Sequence, residues 1–343
     1  MKEYIATWVY LDSLTEKSKY PNNKGDSTTP EFQAVYWRCI VVFFKSSLKF
    51  NKDATHLIFT NTKEVPTIDG LDLKLFFKEN NIEVVLLDNK YPLPNNYFGK
   101  FRNQFFEFSI IDHMADRMNE EDGFLLLDSD CVFSKSMDSA FEELASEKMA
   151  ITYIVDHETD YMIHGVSGDD MKTIFSELGV SVNQNPFYSG GELLFAKGAF
   201  IKEVANDFPE LFKNMLDRHK KGKIKFNEEA HVLSYYFYKH GAKLAGMDTY
   251  IKRVWTNRNY FRNVKSEDVN MNIWHLPNEK NTGIDKLFKM LVAGNDFTLL
   301  PKDEYISLIK DVLLKKSNYK KDYVAIFKNS ASKFLMAVGL KTK

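Results

Sequence analysis

The fold is decided by the stretch GFLLLDSD, residues 123–130. Its first five residues form a continuous apolar run without polar alternation, which is typical of a strand buried on both faces of a sheet. Asp128 and Asp130 follow at the carboxyl end of this strand, two positions apart, so their side chains leave the chain on the same side. Because open α/β sheets bind ligands at the carboxyl ends of their strands, the two aspartates are the first candidates for a functional site.

The sequence around this strand alternates between strand-like and helix-like segments. Predicted strands cover residues 5–10, 56–60, 82–87 and 149–155, and predicted helices cover 28–49, 69–80, 101–118, 137–147 and 171–178. Such alternation is typical of an α/β fold in which crossover helices connect the strands of a parallel sheet.

Composition restricts the class of protein further. The 343 residues are 44% hydrophobic and have a net charge of −1, which indicates a globular chain, and nucleic acid is not expected as a partner. Cys39 and Cys131 lie far apart within apolar runs, so neither a disulfide framework nor a cysteine-rich zinc site is expected. No apolar run approaches the roughly 18 residues needed to cross a bilayer, and we predict a cytoplasmic protein.

The C-terminal segment differs in charge from the rest of the chain. Residues 310–343 contain nine lysines against Asp311 and Asp322, interspersed with apolar residues such as Phe327 and Phe334. We predict one domain over residues 1–290 and a helical, lysine-rich extension over 291–343. The extension either caps the domain with a solvated lysine face or makes peripheral contact with an anionic membrane.

The paired carboxylates predict a metal site. Asp128 and Asp130 would repel each other unless a cation joined them, and Mg²⁺ or Mn²⁺ prefers such oxygen ligands. An ion of this kind commonly bridges phosphates, so the site would also bind the pyrophosphate of a nucleotide. Ser129, between the two aspartates, is included in this predicted nucleotide-binding motif.

In this context the motif resembles that of the GT-A glycosyltransferases, which bind a nucleotide-sugar at a D-x-D sequence after a buried strand. Residues 227–233 are similar to the D-Q-D-x-x-N segment of the retaining family 8 enzymes, and His275 with Gly283 and Lys286 resembles their H-x-x-G-x-x-K. The resemblance implies a Rossmann-like GT-A domain with a mixed central sheet. It also implies metal-dependent transfer of a hexose, with retention, from a UDP-sugar to a glycan or lipid-linked acceptor, as in polysaccharide biosynthesis.

The same resemblance implies roles for individual residues. His275 would be the third metal ligand, although it is also compatible with an ordinary interfacial histidine, and Lys286 would contact the donor phosphates. Glu228 and Glu229 would act near the reacting sugar carbon or complement a helix dipole. Residues 188–192 resemble the small-residue segment beside the donor sugar, which assigns donor contacts to Ser189 and Gly190 and makes Glu192 either a catalytic carboxylate or a strand charge. Position in the fold alone suggests nucleotide contacts for Thr7, Trp8, Tyr10, Asn61, Asp88 and Arg102, the last being equally compatible with a surface arginine.

Two other classes of function remain open. In a haloacid dehalogenase-type phosphatase, Asp128 would be the nucleophile and Asp130 the acid/base, and residues 168–170 would form the later acidic motif. In such phosphatases the motif that contains the two aspartates normally lies at the start of the domain, whereas more than a hundred residues precede Asp128 here. A protein that binds a sugar nucleotide or a partner without turnover is the second alternative. A nucleotidyltransferase is disfavoured because no glycine-rich phosphate loop follows the first strand.

Overall fold

The computed structural model describes residues 1–14, 16, 18, 25–100, 102–147, 149–257 and 261–315. Its strands are β1 (Glu3–Val9), β2 (Thr55–Thr60), β3 (Thr67–Ile68), β4 (Leu71–Asp72), β5 (Glu83–Leu86), β6 (Gly123–Leu127), β7 (Cys131–Phe133), β8 (Ile154–Asp156), β9 (Met162–Ile163), β10 (Val166–Ser167), β11 (Tyr188–Ser189), β12 (Leu193–Lys197), β13 (Ile251–Arg253) and β14 (Ile273–His275). Its α-helices are α1 (Pro30–Phe50), α2 (Leu73–Glu79), α3 (Phe106–Arg117), α4 (Asp138–Ser146), α5 (Gly168–Glu177), α6 (Gly198–Lys220), α7 (Glu229–Lys239), α8 (Gly283–Val292) and α9 (Lys302–Leu313).

A five-stranded sheet with the order β12-β6-β1-β2-β5 forms the centre of the molecule. Strands β6, β1, β2 and β5 are parallel, and β12 runs antiparallel to β6. The predicted α/β class with a mixed central sheet is therefore confirmed. Because β1 and β6 are neighbours, the loop after β1 and the aspartates after β6 emerge at the same edge of the sheet.

Both faces of this sheet are covered, which explains the unbroken apolar run of β6. Leu125 and Leu127 contribute to one hydrophobic cluster, where α1 packs, whereas Phe124 and Leu126 contribute to the opposite cluster, where α3 and α6 pack. In that second cluster the rings of Phe108 and Phe208 are stacked with centroids 3.6 Å apart. A strand with covered faces on both sides needs apolar residues at every position, not at alternate ones.

A second, three-stranded sheet has the order β13-β14-β7. Strand β7 follows the two aspartates directly, and the antiparallel pairing of β14 with β7 places His275 opposite Cys131. The backbone N–H of Leu276 donates to the carbonyl of Asp130 at 3.0 Å. This pairing brings a segment distant in sequence to the end of β6.

The described part of the predicted C-terminal extension packs on the same core as the domain. The Tyr305 hydroxyl donates to the carbonyl of Phe133 at 2.6 Å, and Leu313 is fully buried. The boundary at residue 290 stays a prediction. So does the membrane-binding role of residues 310–343, since residues 316–343 lie outside the described residues. Within the described part of the chain, no helix combines the length and apolarity needed to span a membrane.

Several predicted elements have different bounds in the structure. The helix predicted from residue 69 begins only at Leu73, because residues 67–72 form the β3–β4 hairpin, where Asp69 and Gly70 have φ of 48° and 87°. Left-handed backbone of this kind interrupts a helix. The strand predicted over 149–155 is also wrong in its bounds: β8 begins at Ile154, and Ala150 and Ile151 form only isolated bridges.

A buried histidine gives a pH-dependent stability. The ring of His56 is 2% exposed, with Nε2 at 2.8 Å from Ser47 Oγ and Nδ1 at 3.1 Å from the Ala54 carbonyl. Burial lowers the pKa of His56 from 6.5 to about 4, although the bond to Ala54 opposes the shift. In the unfolded chain the ring takes up a proton near pH 6.5, so the folded state loses stability as the pH falls from 6.5 through 4.

We expect this residue to reduce the free energy of unfolding by up to roughly 3 kcal/mol at the acid end of that range. Urea unfolding of wild type and His56→Gln between pH 7 and pH 4 measures the effect. The variant should show a shallower loss of stability with falling pH. Parallel curves for the two proteins would contradict the prediction.

Candidate functional site

A cavity of about 420 Å³ lies at the carboxyl ends of β1 and β6. Its walls come from the loop after β1, the segment after β6, the start of α7 and the loop after β14. Nine of the predicted site residues line it: Trp8, Tyr10, Asp128, Ser129, Asp130, Glu192, Glu228, Glu229 and His275. The site predicted from the carboxyl end of the buried strand therefore coincides with a concave space large enough for a small molecule.

Asp128, Asp130 and His275 converge at one side of this cavity. Nε2 of His275 lies 3.5 Å from Oδ2 of Asp128 and 3.4 Å from Oδ1 of Asp130. The three ligand atoms lie within 4.8 Å of one another, and Asp128 is open to the cavity with 31% of its side chain exposed. Two carboxylate oxygens and one imidazole nitrogen suit Mn²⁺ and, with more water ligands, Mg²⁺.

The pKa values of these three residues are shifted by burial and by their mutual charges. Burial and the neighbouring Asp130 raise the pKa of Asp128 to about 6. Burial would also raise the pKa of Asp130, but Lys280 and His275 lower it well below its usual value. Burial alone would lower the pKa of His275, yet Asp130 and Glu192 raise it to about 9. Without a metal, a proton on His275 therefore offsets part of the charge of the two carboxylates, and a divalent cation would take over this role.

Lys280 is a member of this cluster that the sequence did not reveal. Its Nζ forms an ion pair with Oδ2 of Asp130, and it lines the cavity. Lys286, predicted from the family motif, is exposed on α8 and is not part of the lining. The one signal for Lys280 in the sequence was its closeness to His275, because it lies in the short loop that follows this residue.

The loop that carries Lys280 is held by a fully buried carboxylate, Glu279. Glu279 accepts hydrogen bonds from the hydroxyl of Thr256, from the hydroxyl of Thr282 at 2.6 Å and from the backbone N–H of Gly283 at 2.9 Å. These bonds connect the loop after β14 to the start of α8 and to the loop after β13. The position of the Lys280 backbone is thus fixed independently of any ligand.

Glu228 and Glu229 have opposite electrostatic environments. Glu228 accepts from the hydroxyl of Tyr188 at 2.6 Å and contacts Nδ1 of His164. Although burial raises the pKa of Glu228, His231 and His164 lower it below its usual value. One oxygen of Glu229 has no partner among the described residues, and burial with Glu107 and Glu228 nearby raises its pKa well above the usual value. The pKa values of the two neighbouring carboxyl groups are therefore shifted in opposite directions, and Glu229 holds a proton more readily than Glu228.

Helix capping does not account for Glu228. It occupies the N-cap position of α7, but its side chain makes no capping hydrogen bond. Both of its oxygens are engaged by side chains of other segments instead. Glu228 therefore does not cap the helix through a hydrogen bond, whereas a role for the pair in complementing the helix dipole stays a prediction.

Aromatic side chains line the cavity at the end of β1. The ring centroid of Phe106 lies 6.0 Å from that of Trp8 and 5.3 Å from that of Tyr10. Trp255 also lines the cavity. Flat aromatic surfaces next to a cation site suit a nucleobase, which stacks on aromatic rings.

The remaining predicted donor-binding residues lie outside the lining of the cavity: Thr7, Asn61, Asp88, Arg102, Ser189, Gly190 and Lys286. Asn61 instead brackets the backbone of Leu11, accepting from its N–H at 2.8 Å and donating to its carbonyl at 3.0 Å. Arg102 donates to the carbonyl of Glu16 at 3.0 Å, and Asp88 is exposed. Asn61 and Arg102 therefore support the shape of the loop after β1.

The acidic motif that suggested a phosphatase has a structural explanation. Asp170 and Ser167 form a reciprocal capping box at the start of α5, with backbone-to-side-chain distances of 2.9 and 3.0 Å. Asp169 accepts from the side-chain amide of Asn185 at 2.9 Å. Neither aspartate lines the cavity, so the second motif of that chemistry is not assembled beside Asp128.

No family model matches the chain, and no curated protein matches it. Three similar solved structures are the apo form of mouse xyloside xylosyltransferase 1 (11% identity, covering 80% of this chain and 97% of that chain, TM-score 0.44), an active-site mutant of LgtC (12%, 85% and 95%, 0.49), and the galactosyltransferase LgtC in complex with donor and acceptor sugar analogs (12%, 79% and 86%, 0.43).

Proposed function

We propose that this protein transfers a hexose from a UDP-sugar to a glycan or lipid-linked acceptor with the aid of Mn²⁺ or Mg²⁺. The observation that carries the proposal is the convergence of Asp128, Asp130 and His275 in a cavity that also contains Lys280 and an aromatic wall. Each of these groups matches one part of a nucleotide-sugar. The phosphatase alternative explains only the two aspartates.

Different residues of the cavity would bind different parts of the donor. Trp8 and Tyr10 would stack with the nucleobase, and the diphosphate would lie beside the two aspartates. When bound there by Asp128, Asp130 and His275, the divalent cation would supply positive charge that stabilises the departing diphosphate. Lys280, on the same side of the cavity, would contribute a second positive charge at the phosphate oxygens.

The two glutamates suit the sugar end of the donor. The ionised carboxylate of Glu228 would stabilise positive charge that develops at the sugar carbon as its bond to the diphosphate breaks. Glu229, whose pKa is raised, would in its protonated form donate a hydrogen bond to a sugar hydroxyl and accept another. Retention of configuration, polysaccharide biosynthesis and a cytoplasmic location stay predictions from the sequence.

Calorimetric titration of UDP, GDP, ADP and their common sugar derivatives, with and without Mn²⁺, tests this function. We expect Mn²⁺-dependent binding of uridine nucleotides and slow release of UDP from one UDP-sugar. Binding without any cleavage would favour the non-catalytic alternative. No nucleotide binding, together with hydrolysis of p-nitrophenyl phosphate that is lost in Asp128→Asn, would overturn the proposal in favour of the phosphatase.

A further inference from the structure

We propose that the pair formed by half-buried Arg253 and buried Glu192 positions His275, holding its ring so that Nε2 faces the two aspartates. This inference rests on the metal site of the proposed function. It assigns Glu192 a role behind the ligands in place of the catalytic role considered from the sequence. Arg253 was not predicted to belong to the site at all.

The first support is the geometry of the three side chains. Nε of Arg253 donates to Oε1 of Glu192 at 2.8 Å, and Nη2 of Arg253 pairs with Oε2. Oε1 of Glu192 also lies 3.3 Å from Nδ1 of His275. With Nδ1 directed to this carboxylate, the opposite ring nitrogen, Nε2, is the atom left to meet the metal.

Glu192 also contacts the first metal ligand through its backbone. Its carbonyl accepts a hydrogen bond from the backbone N–H of Asp128 at 3.1 Å. The backbone N–H of Val254, next to Arg253, donates to the carbonyl of His275 at 2.8 Å. Glu192 is therefore tied to the backbone of Asp128, and Arg253 lies in the strand that pairs with β14 at His275.

The electrostatics favour an ionised pair. Glu192 is 1% exposed, and an isolated carboxylate at such a site would be costly. The guanidinium of Arg253 supplies the compensating charge through its two contacts with this carboxylate. The two-point contact with the guanidinium fixes the plane of the carboxylate as well as its charge.

A glycine leaves the space that this carboxylate occupies. A Cβ at Gly190 would collide with the carboxylate of Glu192 and would lie 2.6 Å from Cγ2 of Val155. The backbone N–H of Gly190 is held by the carbonyl of Tyr153 at 3.1 Å, so the chain has little room to move away. Gly190, predicted to contact the donor, is therefore required here for the placement of Glu192.

The test uses Mn²⁺ alone as the probe, with the full chain. Electron paramagnetic resonance of free Mn²⁺ gives the affinity, and pulsed measurements on the bound ion detect the imidazole nitrogen of His275. We expect Glu192→Ala to weaken Mn²⁺ binding by about 10- to 100-fold and to remove the nitrogen signal, as His275→Ala does. Glu192→Gln, whose amide oxygen still accepts from Nδ1–H, should keep the nitrogen signal and lose less affinity.

A matched control is the pair of Arg117 and Glu83, a two-point contact made through both Nη atoms at 2.6 and 2.7 Å, outside the cavity lining. Glu83→Ala should leave both readouts unchanged. If Glu192→Ala does not fold, Arg253→Lys provides the same comparison, because lysine keeps the positive charge but cannot make the two-point contact of the guanidinium.

The outcomes separate the two proposals. Wild type that binds no Mn²⁺ would overturn the metal site of the proposed function and this inference with it. Wild type that binds Mn²⁺ through nitrogen, together with a folded Glu192→Ala or Arg253→Lys variant that does the same with equal affinity, would overturn only the positioning role. A merely structural role for the pair would lower thermal stability without removing the nitrogen signal.

Discussion

Asp130→Ala is expected to lose Mn²⁺-dependent nucleotide binding almost completely, by at least about 100-fold, which exceeds the effect typical of a supporting residue behind the ligands. The carboxylate is 1% exposed and lies against both His275 and Lys280. Because Lys280 and His275 hold the pKa of Asp130 well below its usual value, it stays ionised across the working pH range. Asp128, whose pKa is raised to about 6, becomes protonated at a higher pH than Asp130.

Titration of UDP in the presence and absence of Mn²⁺ measures this loss. Asp116→Asn is a suitable control, since this aspartate is exposed on α3 and away from the cavity lining. Thermal unfolding must accompany the titration, because the variant leaves the ammonium of Lys280 without its carboxylate. A folded Asp130→Ala protein that binds UDP and Mn²⁺ as wild type does would exclude the proposed donor site.

Lys280→Met is expected to lower the rate of donor cleavage by about 10²- to 10³-fold, the range found when one group that stabilises developing charge is removed. Methionine retains much of the length of the side chain but has no charge. The ammonium of Lys280 lies in the cavity beside Asp130, where the phosphate oxygens of a donor would be. It would therefore meet the charge that accumulates as the diphosphate leaves.

Lys286→Met is the matched comparison, because the same substitution is made six positions along the chain, at an exposed site on α8. We expect it to change the rate less than about twofold, because solvent screens an exposed charge outside the site. Release of UDP from the UDP-sugar that wild type cleaves is the measurement. A larger effect at Lys286 than at Lys280 would restore the assignment made from the family motif.

Much of the candidate metal site could be predicted from the sequence, because its signals are local. The aspartates lie two positions apart after an apolar run, and His275 was predicted from a motif. Arg253 carried no such signal, because its role depends on contacts with Glu192, a residue distant in sequence. Lys286 was predicted from a family motif and Lys280 was not considered, because a motif does not report which side chain of a loop or helix points into a cavity.

The sequence by itself determined the α/β class, the order of the main helices and strands, and the position of the carboxylate pair at a strand end. It could do so because the spacing of apolar residues along the chain depends directly on the type of element and on which of its faces are buried. The tertiary structure alone decided that Lys280 pairs with Asp130, that Glu192 and Arg253 support His275, and that the pKa values of Glu228 and Glu229 shift in opposite directions. These properties depend on the pairing of β14 with β7 and on burial at a shared cavity, and such long-range contacts leave no periodic pattern in a single sequence.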